Sequence, residues 1–188
     1  MTKADFENYC RRVLIGRKIT KVLYGEVNYA FCEELPDEPI RYYHTDFEEL
    51  HSLDFSIAFM NEDKLIYITW DGTFYQYGLY PFVLAKTEYE AKREQCWDVT
   101  EEPMWQPCIG HSIANLEIVW EDIYDVGHTG HKLHIAICPY AFCLKLSNET
   151  QVFVSAAELR SDGIEAYGLA DNLLVTTNER LAKQINMI

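Results

Sequence analysis

Three histidines in the segment GHTGHKLH are the residues whose spacing is most typical of a metal site. His128, His131 and His134 recur every three residues, and a neutral imidazole is the commonest protein ligand of transition metals. A metal held by them could activate water, which would make the chain a metal-assisted hydrolase. The alternative interpretation is a solvated loop that enters a strand, because the segment contains two glycines and no H-E-x-x-H helix.

Other catalytic arrangements have less support in the sequence. Cys108 lies close to His111, but an internal alignment places Cys108 opposite Leu14. That is a packing position, and a thiol in apolar surroundings is unreactive. The sequence also contains no G-x-S-x-G serine motif, no glycine-rich dinucleotide loop and no P-loop. We therefore predict no cofactor, and we favour a protein that is not an enzyme.

Acidic side chains interleaved with aromatic ones stand out in two stretches. The first is CEELPDEPIRYYHTDFEE at residues 32–49, and the second is VWEDIYD at residues 119–125. Carboxylates steer and pair with cationic groups of a partner, while aromatic rings supply anchoring area at low entropic cost. The alternative is that the aromatic residues fill a half-buried sheet. The predicted partner-binding residues are Glu33, Glu34, Asp37, Glu38, Asp46, Glu48, Glu49, Trp120, Glu121, Asp122, Tyr124 and Asp125.

The charge of the whole chain limits the classes of partner. The net charge of −14 comes from 30 acidic and 16 basic residues. Nucleic acids and anionic membranes gain affinity from lysine and arginine on a protein surface, so both are disfavoured as partners. A basic protein is the partner that this charge predicts, although many proteins are acidic for solubility alone.

The cysteines and the lengths of the apolar segments indicate in which cellular compartment the protein is expected. Six cysteines are scattered along the chain without a C-x-x-C pair, which predicts reduced thiols that pack as small hydrophobic side chains. The first ten residues, MTKADFENYC, carry charges where a secretory signal would need an apolar core. No segment has the apolar length of a membrane span. We therefore expect a cytoplasmic protein.

A repeated phrase predicts how the elements that carry these residues are organised. DGTFYQYGL at residues 71–79 returns as DGIEAYGL at residues 162–169, and the dipeptide IG at residues 15–16 returns at residues 109–110. Several matches in one order indicate a tandem duplication of a unit of about ninety residues. The Tyr-Gly-Leu within each phrase predicts a close approach of two chain segments at its glycine. Asp-Gly dipeptides are typical of turns, and those at residues 71–72 and 162–163 predict one in each repeated phrase, the first as a hairpin.

Periodicity predicts the same kinds of element in both halves. A helix is expected over residues 3–14, with Thr2 as its N-cap and Gly16 beyond its end. A shorter helix is expected in EEPMWQPCIG after Thr100, limited by Pro103 and Pro107 and ended by Gly110. Strands are expected around residues 53–60, 65–70, 133–138, 142–146 and 151–155. The predicted class is α+β, with two tandem pseudo-repeats that are each a mostly antiparallel sheet with flanking helices. The boundaries are 1–94 for the first repeat, 95–107 for a connecting segment and 108–188 for the second repeat.

The layout of the chain resembles a known class of small acidic bacterial proteins. A helix that ends in IG at residues 15–16 precedes a strand-rich middle and a closing DNLLVTTNERLAKQI at residues 171–185. This layout resembles proteins of the immunity type from polymorphic toxin loci. The resemblance implies a non-enzymatic inhibitor that covers the active site of a toxin.

The functional prediction is therefore a non-enzymatic, acidic protein-binding protein, in the form of an immunity protein that occludes a basic toxin. Two alternatives remain open. One is the metal-assisted hydrolase with the histidines of residues 128–134. The other is a structural protein that associates with itself through exposed strand edges, forming a homodimer.

Overall fold

The fold is described by a computed structural model of residues 1–28, 41–61, 64–92, 94–126, 131–160 and 165–188. These ranges contain ten strands and three helices. In chain order they are α1 Lys3–Leu14, β1 Lys21–Glu26, β2 Leu50–Leu53, β3 Ser56–Asn61, β4 Lys64–Asp71, β5 Gly78–Ala85, α2 Lys86–Glu90, β6 Gln95–Asp98, β7 Ile113–Val126, β8 Lys132–Leu146, β9 Gln151–Leu159, β10 Ala166–Thr176 and α3 Glu179–Gln184.

The predicted α+β class is wrong, because the protein is mostly β. Helices account for only 14% of the structure, and α2 and α3 have 5 and 6 residues. The shorter helix expected between Thr100 and Gly110 is a series of turns. Pro103 and Pro107 each lack the backbone N–H that a helix interior needs. The strands are correspondingly longer than expected, since β7 has 14 residues and β8 has 15.

The first helix begins where the sequence predicts. The hydroxyl of Thr2 accepts a hydrogen bond from the backbone N–H of Asp5 at 3.2 Å, and the Asp5 carboxylate accepts one from the Thr2 N–H. This reciprocal pair satisfies two donors that a helix N-terminus leaves free. Within the described ranges, every helix is too short or too polar to cross a membrane.

The strands form two antiparallel sheets of five strands each. The first sheet has the order β5-β4-β3-β1-β6, and the second has the order β2-β10-β9-β8-β7. Strand β2, from the first half of the chain, pairs with β10 near the C-terminus. Strand β6, from the predicted connecting segment, pairs with β1. The second sheet therefore contains strands from both predicted repeats, whose boundaries stay a prediction.

One core contains inward-facing side chains from both sheets, and a short helix covers the outer face of each sheet. On β4, Ile66 and Ile68 point into this core, whereas Leu65 and Tyr67 point to the outer face, where they meet Tyr89 of α2. Helix α3 packs in the same way on the outer face of the second sheet. Both sheets are covered on two sides, which explains why their strands carry nearly continuous apolar runs.

The two repeated glycines lie where chain segments approach each other closely. A Cβ added at Gly78 would lie 3.0 Å from Cδ of Pro139, and a Cβ added at Gly168 would lie 2.6 Å from Cε2 of Tyr140. Real Cβ atoms rarely come so near, so a larger residue at either position would require Pro139 or Tyr140 to shift. The predicted close approach is confirmed at both glycines.

The region predicted as one strand over residues 53–60 contains two strands in different sheets. Asp54 and Phe55 form a bend between β2 and β3. The first hairpin is confirmed, since Asp71 ends β4 and lies opposite Gly78 at the start of β5. The equivalent turn at residues 162–163 lies outside the described residues.

Candidate functional site

The predicted partner-binding residues lie on two separate surfaces. Glu33, Glu34, Asp37 and Glu38 lie outside the described residues. Asp46, Glu48 and Glu49 precede β2, at one edge of the second sheet, whereas residues 120–125 lie on β7 at the opposite edge. Neighbouring strands are about 4.8 Å apart, so the two edges are about 19 Å apart. Asp46, Glu48 and Glu49 therefore cannot contact the same group of a partner as residues 120–125.

A cavity of about 440 Å³ lies beside the first of these surfaces. Three carboxylates line it, from Glu48, Glu49 and Glu102, together with the imidazoles of His44 and His51. Apolar contributions come from Phe47, Pro103, Met104 and Pro107. None of the described residues around this opening is a lysine or an arginine. We call it the acidic cavity.

A second cavity, of about 410 Å³, adjoins the first and shares Phe47, Glu48 and Glu49 with it. Asp46 and Arg180 also contribute to its wall. The Glu49 carboxylate accepts a hydrogen bond from the side-chain amide of Asn178, the N-cap residue of α3. Glu49 is thus held against the start of that helix. In the part of the chain that the structure describes, Asp46 and Glu48 form no ion pair within 4.0 Å.

A buried hydrogen-bonded network forms the floor of the acidic cavity. The indole N–H of Trp105 donates to the hydroxyl oxygen of Tyr24 at 2.7 Å. That hydroxyl is 2.8 Å from Nδ1 of His51, to which it can donate its own proton. Tyr24 and Trp105 are fully buried and His51 is 5% exposed. The floor is therefore rigid before any ligand binds.

His51 is held neutral rather than poised to exchange protons near pH 7. Burial, with a smaller contribution from the neighbouring His44, lowers its pKa to about 4, and Glu102 opposes the change. His44 and His51 lie opposite each other in an isolated antiparallel β-bridge, and their ring centroids are 5.5 Å apart. Because a useful general base needs a pKa near the working pH, His51 is suited to shaping the cavity and not to acid–base catalysis at neutral pH.

On the second surface, Trp120 packs against helix α1. Its indole N–H donates to the carboxylate of Glu7 at 3.0 Å, and its ring lies edge-on to Phe6 and Phe74, with centroids 5.8 and 5.1 Å away. Lys3 lies over the same ring at 5.0 Å. The Trp120 ring is already engaged within the protein and is half-buried.

Tyr124 and the carboxylates of β7 are more accessible than Trp120. Tyr124 is 48% exposed, and its ring lies 5.4 Å from that of His134 on β8. Asp122 accepts a hydrogen bond from Nε2 of His134 at 2.9 Å. Burial raises the pKa of Glu121, and Asp125 is exposed. This surface is acidic with one accessible aromatic ring.

The structure provides no support for the histidine metal site. His128 lies outside the described residues, His131 is exposed, and His134 bonds to Asp122. Among the residues that are described, no group of three His, Cys, Asp or Glu side chains could hold a metal ion. The metal-assisted hydrolase stays an untested prediction.

The prediction that Cys108 has a packing role is confirmed. Cys108 is fully buried, and burial raises the pKa of its thiol to about 12. The Nδ1 of His111 lies 3.4 Å from the hydroxyl of Ser147. The described cysteines Cys10, Cys96, Cys108, Cys138 and Cys143 are all free thiols.

A buried carboxylate on β1 was missed in the sequence. Glu26 is 1% exposed. Burial, together with the negative charge of the nearby Asp54, raises the pKa of its carboxyl group to about 7. The Trp97 indole and the Tyr42 backbone oppose this increase. No signal in the sequence marks Glu26, because a glutamate at the end of a strand is usually solvated.

A second missed carboxylate belongs to Glu94, between α2 and β6. It accepts hydrogen bonds from the Ser56 hydroxyl at 2.9 Å and from the Tyr67 hydroxyl at 2.6 Å. The ammonium group of Lys92 lies 3.7 Å from it and 4.1 Å from the Tyr67 ring centroid. A cavity of about 360 Å³ beside it is also lined by Phe55, Trp70 and Phe82. The carboxylate is fully engaged by its own chain.

Comparisons of the chain with protein-family models, with curated proteins and with solved structures found no match. The resemblance to immunity-type proteins therefore remains a hypothesis that rests on the layout of the sequence.

Proposed function

We propose that this is a non-enzymatic binding protein that captures a basic protein partner at the acidic cavity. The single observation that carries this proposal is the composition of the cavity wall. It contains three carboxylates and, among the described residues, no lysine or arginine. A lysine or arginine side chain of a partner is the group that best complements such a wall.

The cavity offers separate surfaces to the two parts of such a side chain. The ring of Phe47 and the apolar segment Pro103–Met104 can pack against its aliphatic stem. Glu48 and Glu102 can pair with its cationic head. Because Glu49 is held by Asn178 and the floor is buried, little rearrangement is needed on binding, which reduces the entropic cost of association.

The net charge acts at an earlier step, before contact. A chain with a net charge of −14 attracts a basic partner at long range and raises the association rate. The immunity-type resemblance makes a basic toxin the partner of first interest, which the protein would inhibit by occlusion. We place this binding in the cytoplasm, because five described cysteines are free thiols, as is usual in a reducing compartment.

The test uses a charge-reversed variant and a control with the same net charge. Asp46→Lys/Glu48→Lys reverses the charge of Glu48 in the acidic cavity and of Asp46 in the wall of the adjoining cavity. Glu90→Lys/Asp171→Lys changes two exposed carboxylates outside both acidic surfaces. Partners are first captured from lysate of the producing cells with the wild-type protein and identified. The purified pair is then studied by stopped-flow fluorescence at low and at physiological salt concentration.

We expect the identified partner to be basic and the Asp46→Lys/Glu48→Lys variant to associate at least about tenfold more slowly, with a weaker salt dependence. The control should lose less than about threefold in rate, since only the long-range field changes. An acidic partner, or equal losses for the two variants, would show that the acidic cavity is not the binding surface.

A further inference from the structure

Strand β7 is the long edge strand among the described residues. It has 14 residues and pairs only with β8 within the described ranges. The other edge strands are shorter: β2 and β6 have 4 residues each, and β5 has 8 residues and contains Pro81. An unpaired strand edge presents a row of backbone N–H and C=O groups to which another strand can bond.

The free edge of β7 is regular over most of its length. The register irregularities at Val119/Trp120 and Ile123/Tyr124 come from extra residues in β8, namely Tyr140 and Ile135. From residue 115 onward, β7 itself therefore contains no bulge. Among the described residues of β7, Ile113 is the one whose backbone forms hydrogen bonds to a segment outside the sheet. From residue 115 to 125, the backbone of β7 forms no backbone hydrogen bond to another described segment outside the sheet, and helix α1 packs against this strand at Trp120.

Carboxylates line one face of this edge at a constant spacing. Side chains alternate along a strand, and Leu116 faces the core. Glu117, Glu121 and Asp125 therefore share the opposite face, four residues apart, which corresponds to about 13 Å. Glu117 and Asp125 are exposed, Glu121 is exposed with its carboxyl group partly covered so that burial raises its pKa, and β7 contains no lysine or arginine. The edge is thus a regular array of negative charges.

This array disfavours a second copy of the chain as the occupant. In an antiparallel pair of β7 strands centred on Glu121, that residue would lie opposite its own copy, and Glu117 would lie opposite Asp125. Like charges that are directly opposite destabilise a strand pair. A strand with cationic side chains at the same spacing would reverse the sign of every one of these contacts.

We propose that β7 is a second docking site, at which an extended basic segment of a partner adds an antiparallel strand to the second sheet. Backbone hydrogen bonds supply affinity in this mode, and side chains on alternate positions supply specificity. The segment would carry lysine or arginine at every fourth position, opposite the three carboxylates. This inference shares with the proposed function only the assumption that the partner is basic. The two binding sites are separate, because the acidic cavity lies at the other edge of the sheet.

The test uses three peptides of identical length. The first carries lysine at every fourth position, valine midway between lysines and threonine elsewhere. The second has the same composition with its lysines adjacent. The third is the first peptide with N-methyl groups on alternate residues of the pairing edge, which removes strand hydrogen bonds and keeps the charge. Binding is measured by fluorescence anisotropy, and amide hydrogen exchange locates the bound segment.

We expect the first peptide to slow exchange of amides in residues 115–125, and the other two to bind at least about tenfold more weakly. Glu117→Lys/Asp125→Lys should abolish binding of the first peptide, whereas Glu90→Lys/Asp171→Lys should retain it. Far-ultraviolet circular dichroism and thermal unfolding of both variants establish that they are folded.

Three results would overturn the inference. Equal binding of the methylated peptide would show electrostatic attraction without strand pairing. Protection around residues 44–51 instead of β7 would place the basic segment at the acidic cavity, which refutes this inference and supports the proposed function. If light scattering gives twice the molar mass of one chain, and Glu117→Lys/Asp125→Lys changes that mass, a second copy of the chain is the occupant.

Discussion

Gly16 and Gly110 make reciprocal backbone hydrogen bonds across the junction between the two halves of the chain. The N–H of Gly16 donates to the carbonyl oxygen of Ile113 at 2.8 Å, and the N–H of Gly110 donates to that of Ile19 at 2.7 Å. Each glycine thus bonds to the residue three positions after the other glycine. Both adopt positive φ, of +79° and +83°. The two halves use the same geometry at this junction.

Replacing either junction glycine by alanine should destabilise the protein through the backbone alone. Nothing lies within 4 Å of a Cβ added at Gly16 or Gly110, so no steric clash contributes. Left-handed backbone costs an alanine about 1–2 kcal/mol, and we expect that loss for each variant in urea unfolding. Gly72→Ala is the control and should change the free energy of unfolding by less than about 0.5 kcal/mol. A Gly16→Ala variant as stable as the wild type would contradict the observed conformation.

Gly25 is predicted to be irreplaceable for a steric reason instead. An added Cβ would lie 2.0 Å from Oε2 of Glu94 and 2.3 Å from the Ser56 hydroxyl oxygen. Gly25→Ala should therefore reduce stability by about 1–3 kcal/mol. The same change in a Glu94→Ala background should cost clearly less, because one of the two clashing groups is gone. Strict additivity of the two changes would show that the carboxylate does not occupy this space.

Glu26 should make the stability of the protein depend on pH near neutrality. Its pKa is about 7 in the folded protein against 4.5 for the free side chain. The folded state therefore binds this proton more tightly than the unfolded chain, so the stabilisation is complete below about pH 4.5 and is lost as pH rises to about 7. Wild type should lose about 2 kcal/mol relative to Glu26→Gln between about pH 5 and about pH 8.

Urea unfolding of both proteins at the two pH values measures this difference. His51, with its lowered pKa, has the opposite pH dependence: its contribution is complete above about pH 6.5 and is lost as pH falls towards about 4. His51 is present in both proteins, so it cancels in the comparison. Glu117→Gln, an exposed carboxylate change, is the control and should leave the pH dependence as in wild type. A parallel pH dependence of wild type and Glu26→Gln would refute the burial of an ionisable Glu26.

Tyr24 should be the residue on which the floor of the acidic cavity depends most. Tyr24→Phe removes the acceptor of the Trp105 indole N–H and the partner of His51 in a fully buried site. An unsatisfied buried donor costs about 1–3 kcal/mol, and we expect that loss in thermal or urea unfolding. Tyr9→Phe removes a hydrogen bond to Pro81 at a partly exposed position and should cost less. Equal losses for the two variants would indicate that water replaces the Tyr24 hydroxyl.

The sequence predicted well those features that depend on neighbouring residues. The Thr2 cap, the hairpin after Asp71 and the burial of Cys108 all follow from short-range chemistry or from apolar spacing, and the structure agrees with them. The prediction of a shorter helix between Thr100 and Gly110 is wrong. The sequence predicts a helix limited by Pro103 and Pro107, whereas the structure has turns there, because each proline lacks the backbone N–H that a helix interior needs.

The sequence by itself determined an acidic chain with two strand-rich halves, turn residues and aromatic segments, because these properties belong to single residues and their neighbours. Only the tertiary structure decided that β2 joins β10 at the far end of the chain, which separates the two acidic stretches to opposite edges of one sheet. It also decided that the side chain of Glu26 is buried while that of Glu48 is exposed. The pairing of distant strands and the burial of a single carboxylate depend on contacts between residues far apart in sequence, so local patterns do not determine them.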